Sequence, residues 1–233
     1  MNNLVVSAVV LLLLAPCTLM GETGDNVIYV PGWHRCHRGA DEAFCAVQTT
    51  FPGTIVSTYD WDGNCRWKNA RTNADAAAAK LAGELMSMSD DKLSQLTLVG
   101  HSLGARIIVR ALAKLAVEGK KIKTAVILAA AMPSNDPDAQ NFTAATIEQA
   151  TIVCNPKDTM LKYGYHPFGG EKAQALGLNG PAMKPANCRV ITVLPETTRQ
   201  TPLTALWAKF NLFRTIAAHY APFYLEQLKR SKK

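Results

Sequence analysis

Short apolar runs alternate with longer segments of helical spacing along most of the chain. Residues 26–32, NVIYVPG, form a β-branched and aromatic run stopped by Pro-Gly, which predicts a strand and a sharp turn. A loop or short helix is expected over 34–50, and a strand over 53–61, GTIVSTYDW. Residues 69–88 are alanine-rich, with Ala, Leu and Met recurring every three or four positions, so they predict a helix. QLTLVG (95–100) predicts the next strand, and 103–118 a helix with Gly119 as its stop. TAVILAA (124–130) predicts a strand, 139–150 a short helical segment, and ATIVCN (150–155) a further strand. CRVITVLP (188–195) predicts the last strand, and 221–230 a closing helix.

Strands and helices alternate throughout, and several strands are almost wholly apolar. A strand apolar on both faces needs cover on both. The expected fold is therefore α/β, a mostly parallel sheet of about six strands with helices on both faces. No internal repeat or low-complexity linker interrupts it. The longest irregular stretch, 163–187, is rich in Gly and Pro and follows a strand end, where open α/β sheets bind ligands. No insertion is long enough for a large lid domain.

The first residues read differently. LVVSAVVLLLLA (4–15) is a short apolar run followed by polar GETGDN. It resembles the apolar region of a secretory signal and is short for a membrane span, which needs about 20 apolar residues. Residues 1–21 are thus expected to be a signal peptide or N-terminal anchor, and 26–233 the folded domain. The expected location is exported, periplasmic or secreted. Lipid or membrane anchoring is the alternative, because LLAPC resembles a lipobox ending at Cys17, although Pro16 departs from that motif.

Composition narrows the function classes. Hydrophobic residues make up 48% of the 233, enough for a substantial core. The net charge is +7, but Lys229, Arg230, Lys232 and Lys233 cluster at the end, so the folded body is only mildly basic. No basic stripe interleaves with aromatics, and nucleic-acid binding is not expected. Export permits disulfides. Two of Cys36, Cys45 and Cys65 are expected to pair, while Cys154 and Cys188 are either buried thiols or a pair across neighbouring strand ends. His34, Cys36, His37 and Cys45 lie close in sequence but lack the spacing of paired zinc ligands, so no metal is expected. The first strand leads into Pro-Gly-Trp rather than a glycine-rich phosphate loop, so a dinucleotide or other cofactor is not indicated either.

The candidate chemistry lies at the junction between the 95–100 strand and the 103–118 helix, in Gly100-His101-Ser102-Leu103-Gly104. A serine between glycines can be a polar residue in a tight turn. A strand before it and a helix after it are the context of a nucleophile elbow. The glycines let strand and helix approach, and the helix N-terminus favours developing negative charge near the hydroxyl.

With GHSLG, the upstream VIYVPGW, the strand–helix order and a later acid and histidine, residues from 26 onward resemble the α/β-hydrolase superfamily with a minimal cap. The resemblance implies a Ser-His-Asp triad in the chain order serine, acid, histidine. Ser102 takes the nucleophile position. His219, after the last strand, takes the base position. Asp158, in the loop after the 150–155 strand, takes the usual acid position, with Asp136 after the preceding strand as the alternative. The implied oxyanion hole is the backbone N–H of Leu103 and of Trp33, where Pro31 stands in place of the superfamily's usual histidine. The implied activity is hydrolysis of a carboxylic ester, on a small-molecule or lipid-like substrate. Membrane contact is expected only through an uncleaved or lipidated N-terminus. The alternatives are another acyl hydrolase (lipase, thioesterase, amidase) or a non-catalytic binding protein on the same fold.

Overall fold

A computed structural model of the chain describes residues 25–33, 37–165, 173–193 and 221–231. Six strands form one parallel sheet: β1 (Asn26–Val30), β2 (Ile55–Thr58), β3 (Leu96–His101), β4 (Ile122–Leu128), β5 (Thr146–Cys154) and β6 (Cys188–Thr192). Their spatial order is β2-β1-β3-β4-β5-β6. Every residue of β3 is buried, as is the second half of β4 and of β5. Burial on both faces of a strand requires a layer on each side, which the helices supply. The expected fold class is the observed one.

Among the described residues the α-helices are α1 (His37–Thr50), α2 (Trp67–Ser87), the single turn α3 (Asp90–Leu93), α4 (Leu103–Val117), α5 (Asp138–Asn141), α6 (Leu176–Asn179) and α7 (Ala221–Ser231), and a π-helical turn spans Met160–Gly164. α2 and α4 pack together. Ala70, Ala74, Ala78, Leu81, Ala82 and Leu85 line the buried stripe of α2, and their small side chains allow close approach. α4 ends in a Schellman motif: Gly119, at φ +69°, donates to the Ala116 carbonyl, and Lys120 donates to that of Leu115. α7 carries Pro222 in its first turn, where a missing N–H costs nothing, and packs against α1.

Three expectations need correction. Residues 139–150 are not one helical segment. α5 passes into a 3₁₀ turn (Phe142–Ala145), and β5 begins at Thr146, where β-branched Thr146 and Ile147 favour a strand. The irregular stretch after residue 163 contains α6, with residues 166–172 outside the described part. The expected disulfides do not form among the described cysteines, since Cys45, Cys65, Cys154 and Cys188 are all free. Cys154 and Cys188 lie on adjacent strands, but Cys188 is in register with Ala150. Four strand residues, roughly 13 Å, separate the two along the ladder, beyond the about 7 Å between Cα atoms that a disulfide spans. Cys36, and any pair it makes, lies outside the described residues, as does the 1–21 signal or anchor. Among the described residues, no helix is long and apolar enough to cross a membrane.

Candidate active site

The topology determines where a site can form. From β1 the chain passes to β2 on one side, whereas from β3 it passes to β4 on the other. The carboxyl ends of β1 and β3 are therefore the switch point of the sheet, where loops diverge and leave a crevice. Pro31-Gly32-Trp33 leaves β1 at that end, and Ser102 stands between β3 and α4.

Ser102 has φ 56° and ψ −119°, a conformation L-residues rarely adopt. Three backbone hydrogen bonds hold it there. Its N–H donates to the Leu128 carbonyl at 3.0 Å, and its own carbonyl accepts from Ala131 at 3.1 Å and Arg106 at 3.3 Å. The glycines around it are sterically required. A Cβ on Gly104 would overlap the Val30 and Pro31 carbonyl oxygens, and one on Gly100 would lie 2.8 Å from the Ala105 Cα. Position 104 therefore brings α4 onto the end of β1.

Gly32 lies against the serine, because a Cβ there would sit 2.9 Å from the Ser102 Cβ. The turn that carries it is anchored by two indoles. Trp61 Nε1 donates to the Pro31 carbonyl at 2.9 Å, and Trp33 Nε1 to the Cys65 carbonyl at 2.7 Å. Trp33 also meets the Trp67 ring edge-on, centroids 5.2 Å apart. Leu103 is the first residue of α4, so its N–H has no acceptor within the helix. A cavity of about 190 Å³ opens beside this turn, between Gly32 and residues 60–64.

Asp158 follows β5 and is fully buried. Its Oδ1 accepts from the Leu161 N–H at 3.1 Å, and its Oδ2 from the Tyr224 hydroxyl at 2.7 Å. Asn155 starts the loop with an Asx turn, its Oδ1 accepting from the Lys157 N–H at 2.9 Å. Burial, and secondarily the Asp158 charge, push the Tyr224 hydroxyl well above the ordinary tyrosine range, so it stays a donor. Asp136 is engaged differently. Its Oδ2 pairs with Arg110 at 3.3 Å, and its Oδ1 accepts from the Asp138 N–H at 3.0 Å, in a turn that opens α5. Arg110 also pairs with Asp75 of α2, which binds the nearly buried Arg106 as well.

The loops after β1, β3, β4 and β5 thus come to the carboxyl end of the sheet, carrying Trp33, Ser102, Leu103, Asp136 and Asp158. His219 and His166 lie outside the described residues, and α7 starts two residues after His219. Tyr224, Trp61 and Trp67 were not singled out in the sequence. The tyrosine's only signal is its place on a short amphipathic helix, and the two indoles have none. Among the described residues no group of three or more His, Cys, Asp or Glu is placed to hold a metal ion. Of the sequence cluster weighed for zinc, His34 and Cys36 lie outside the described residues.

A six-stranded parallel sheet with helices on both faces and a serine elbow at its switch point defines an α/β-hydrolase-like fold. Residues 48–175, more than half of the chain, match the model of the family described as "Protein of unknown function (DUF726)", and the chain belongs to that family. No curated protein matches the chain. Among solved structures, the chain is similar to Est1E from Butyrivibrio proteoclasticus, with 13% identity over 85% of this chain and 92% of that one, at TM-score 0.46. It is also similar to a carboxylesterase from Mesorhizobium loti, with 15% identity over 82% and 89%, at TM-score 0.41. A type II thioesterase of the yersiniabactin pathway, YbtT, aligns at 16% identity over 88% and 96%, at TM-score 0.41.

Proposed function

We propose that the protein is a serine hydrolase that cleaves a carboxylic ester through an acyl-enzyme. The observation that carries this reading is the backbone of Ser102, held at φ 56° by three hydrogen bonds at the switch point of the sheet. A polar side chain kept in so rare a conformation is a candidate for function.

In the proposed mechanism, His219 takes the Ser102 proton as Oγ attacks the ester carbonyl, and Asp158 orients the imidazole and stabilises its charged form. The N–H groups of Leu103 and Trp33 donate hydrogen bonds to the carbonyl oxygen and stabilise the charge that develops on it. His219 then protonates the departing alcohol, leaving the acyl group on Ser102. A water, deprotonated by His219, releases the acid and restores the serine. Burial and double hydrogen bonding favour Asp158 as the acid, whereas the Asp136 carboxylate already serves Arg110 and its own turn.

A panel of p-nitrophenyl esters of increasing chain length tests this reading. Wild type is expected to turn over at least one of them, and Ser102→Ala none. Asp158→Asn is expected to lose about 10³–10⁴-fold in kcat, while Asp136→Asn keeps most of the activity. The reverse order for the two aspartates would assign the acid to Asp136.

A further inference from the structure

A buried carboxylate is tolerated only where its oxygens are satisfied. Asp158 meets that need partly through the π-helical turn that follows it, by the Leu161 N–H, and partly from far along the chain, by Tyr224. Tyr224 lies on α7, 66 residues away in sequence, and is fully buried. Its oxygen also takes a hydrogen bond from the Asn155 side chain, at the start of the acid loop. Asn155, Tyr224 and Asp158 thus form a chain of hydrogen bonds that ends on Oδ2. The helix that supplies the tyrosine begins two residues after His219. One short helix therefore both continues the segment bearing the proposed base and grips the proposed acid.

We propose that Tyr224 is a positioning residue of the hydrolytic site, its hydroxyl fixing the Asp158 carboxylate in the orientation that serves His219. This rests on the serine-hydrolase reading above. A buried tyrosine satisfied by a backbone carbonyl would be a matter of packing. Here the acceptor is the one carboxylate that the mechanism uses, and the bond is short and shielded from water. Without the donor, the Asp158 charge is less stabilised and more of it acts on His219. Activity needs Asp158 ionised and His219 neutral. Losing a bond to the charged carboxylate raises the Asp158 pKa, and stronger coupling to the imidazole raises that of His219. Both effects move the acid limb of the rate profile to higher pH. Among the described residues, the titratable groups facing Tyr224 include Asp158, Cys154 and His101. Burial holds the Cys154 thiol at about 12, so it stays neutral across that limb. The His101 ring lies 6.2 Å from the tyrosine ring, centroid to centroid, and is common to every variant below.

The test is Tyr224→Phe, alone and in the Asp158→Asn background, with kcat expressed per mole of monodisperse protein whose near-UV circular dichroism matches wild type, so that misfolded protein does not count. The expected result is a loss of about tenfold or more in kcat with KM little changed, and an acid limb moved up by about half a pH unit or more. In the Asp158→Asn background the same substitution is expected to cost nothing further, because the tyrosine acts through that carboxylate. That comparison also decides the matter if Tyr224→Phe folds poorly. An unchanged limb, or an equal loss in both backgrounds, overturns the proposal and makes Tyr224 a packing residue. If wild type takes no fluorophosphonate label at Ser102, the hydrolase reading itself fails and this inference falls with it.

Discussion

Ser102 sits in a backbone conformation that costs about 1–3 kcal/mol for a residue with a side chain. Nothing in packing requires a serine there, and glycine would relieve the strain. Ser102→Gly and Ser102→Ala should therefore be equally inactive but unequally stable. The glycine variant is expected to exceed the alanine variant by about 1 kcal/mol in denaturant unfolding, despite its more flexible unfolded chain. Alanine equal to or above glycine would contradict the strain. At this scale the sequence offered Ser102 as candidate nucleophile, and Asp158 with Asp136 as the alternative acid, because a motif and a strand end are local features. It could not single out Tyr224 or Trp61. Their roles are hydrogen bonds to Asp158 and Pro31, distant in sequence, and no local pattern encodes such a partner.

At the scale of elements, the elbow depends on how closely α4 meets the end of β1. Gly104 sets that approach, since any side chain there meets the carbonyls of Val30 and Pro31, which cannot swing away as a flexible side chain can. Gly104→Ala is expected to cost more than about 3 kcal/mol or to prevent soluble folding, measured by chemical denaturation or by yield. A variant as stable as wild type would mean that the elbow is looser than described. The long periodic segments were legible, and α2 and α4 lie within two residues of their predicted bounds. The passage from α5 to β5 was not. Apolar residues there continue from a 3₁₀ turn into a strand without a Gly or Pro to mark the change. The free cysteines show the same limit. Pairing depends on strand register, which places Cys188 beside Ala150 rather than Cys154, and spacing in the sequence does not reveal register.

At the scale of the whole molecule, near-continuous apolar strands announced a covered parallel sheet, and its parallel strands in the order β2-β1-β3-β4-β5-β6 bring the described candidate residues to its carboxyl end. The sheet also has a predictable response to alkali. Burial raises the Cys154 thiol from 9.0 to about 12 and the Cys188 thiol to about 11. Below pH 9 both are protonated in the folded and the unfolded chain, and their stabilising contribution is complete. Above it the unfolded chain ionises first, so that contribution is lost as pH rises through the folded values, by at most about 1.4 kcal/mol per unit for each thiol. Thermal unfolding from pH 8 to 11 should show Tm falling more steeply for wild type than for the Cys154→Ala, Cys188→Ala double variant. Equal slopes would contradict the shifts. The central claim remains the nucleophile, and one measurement addresses it most directly. Wild type and Ser102→Ala are treated with a fluorophosphonate, and the site of labelling is found by mass spectrometry. A single adduct on Ser102, absent from the variant, is the predicted result. No adduct on wild type, or one that survives in Ser102→Ala, would contradict the account.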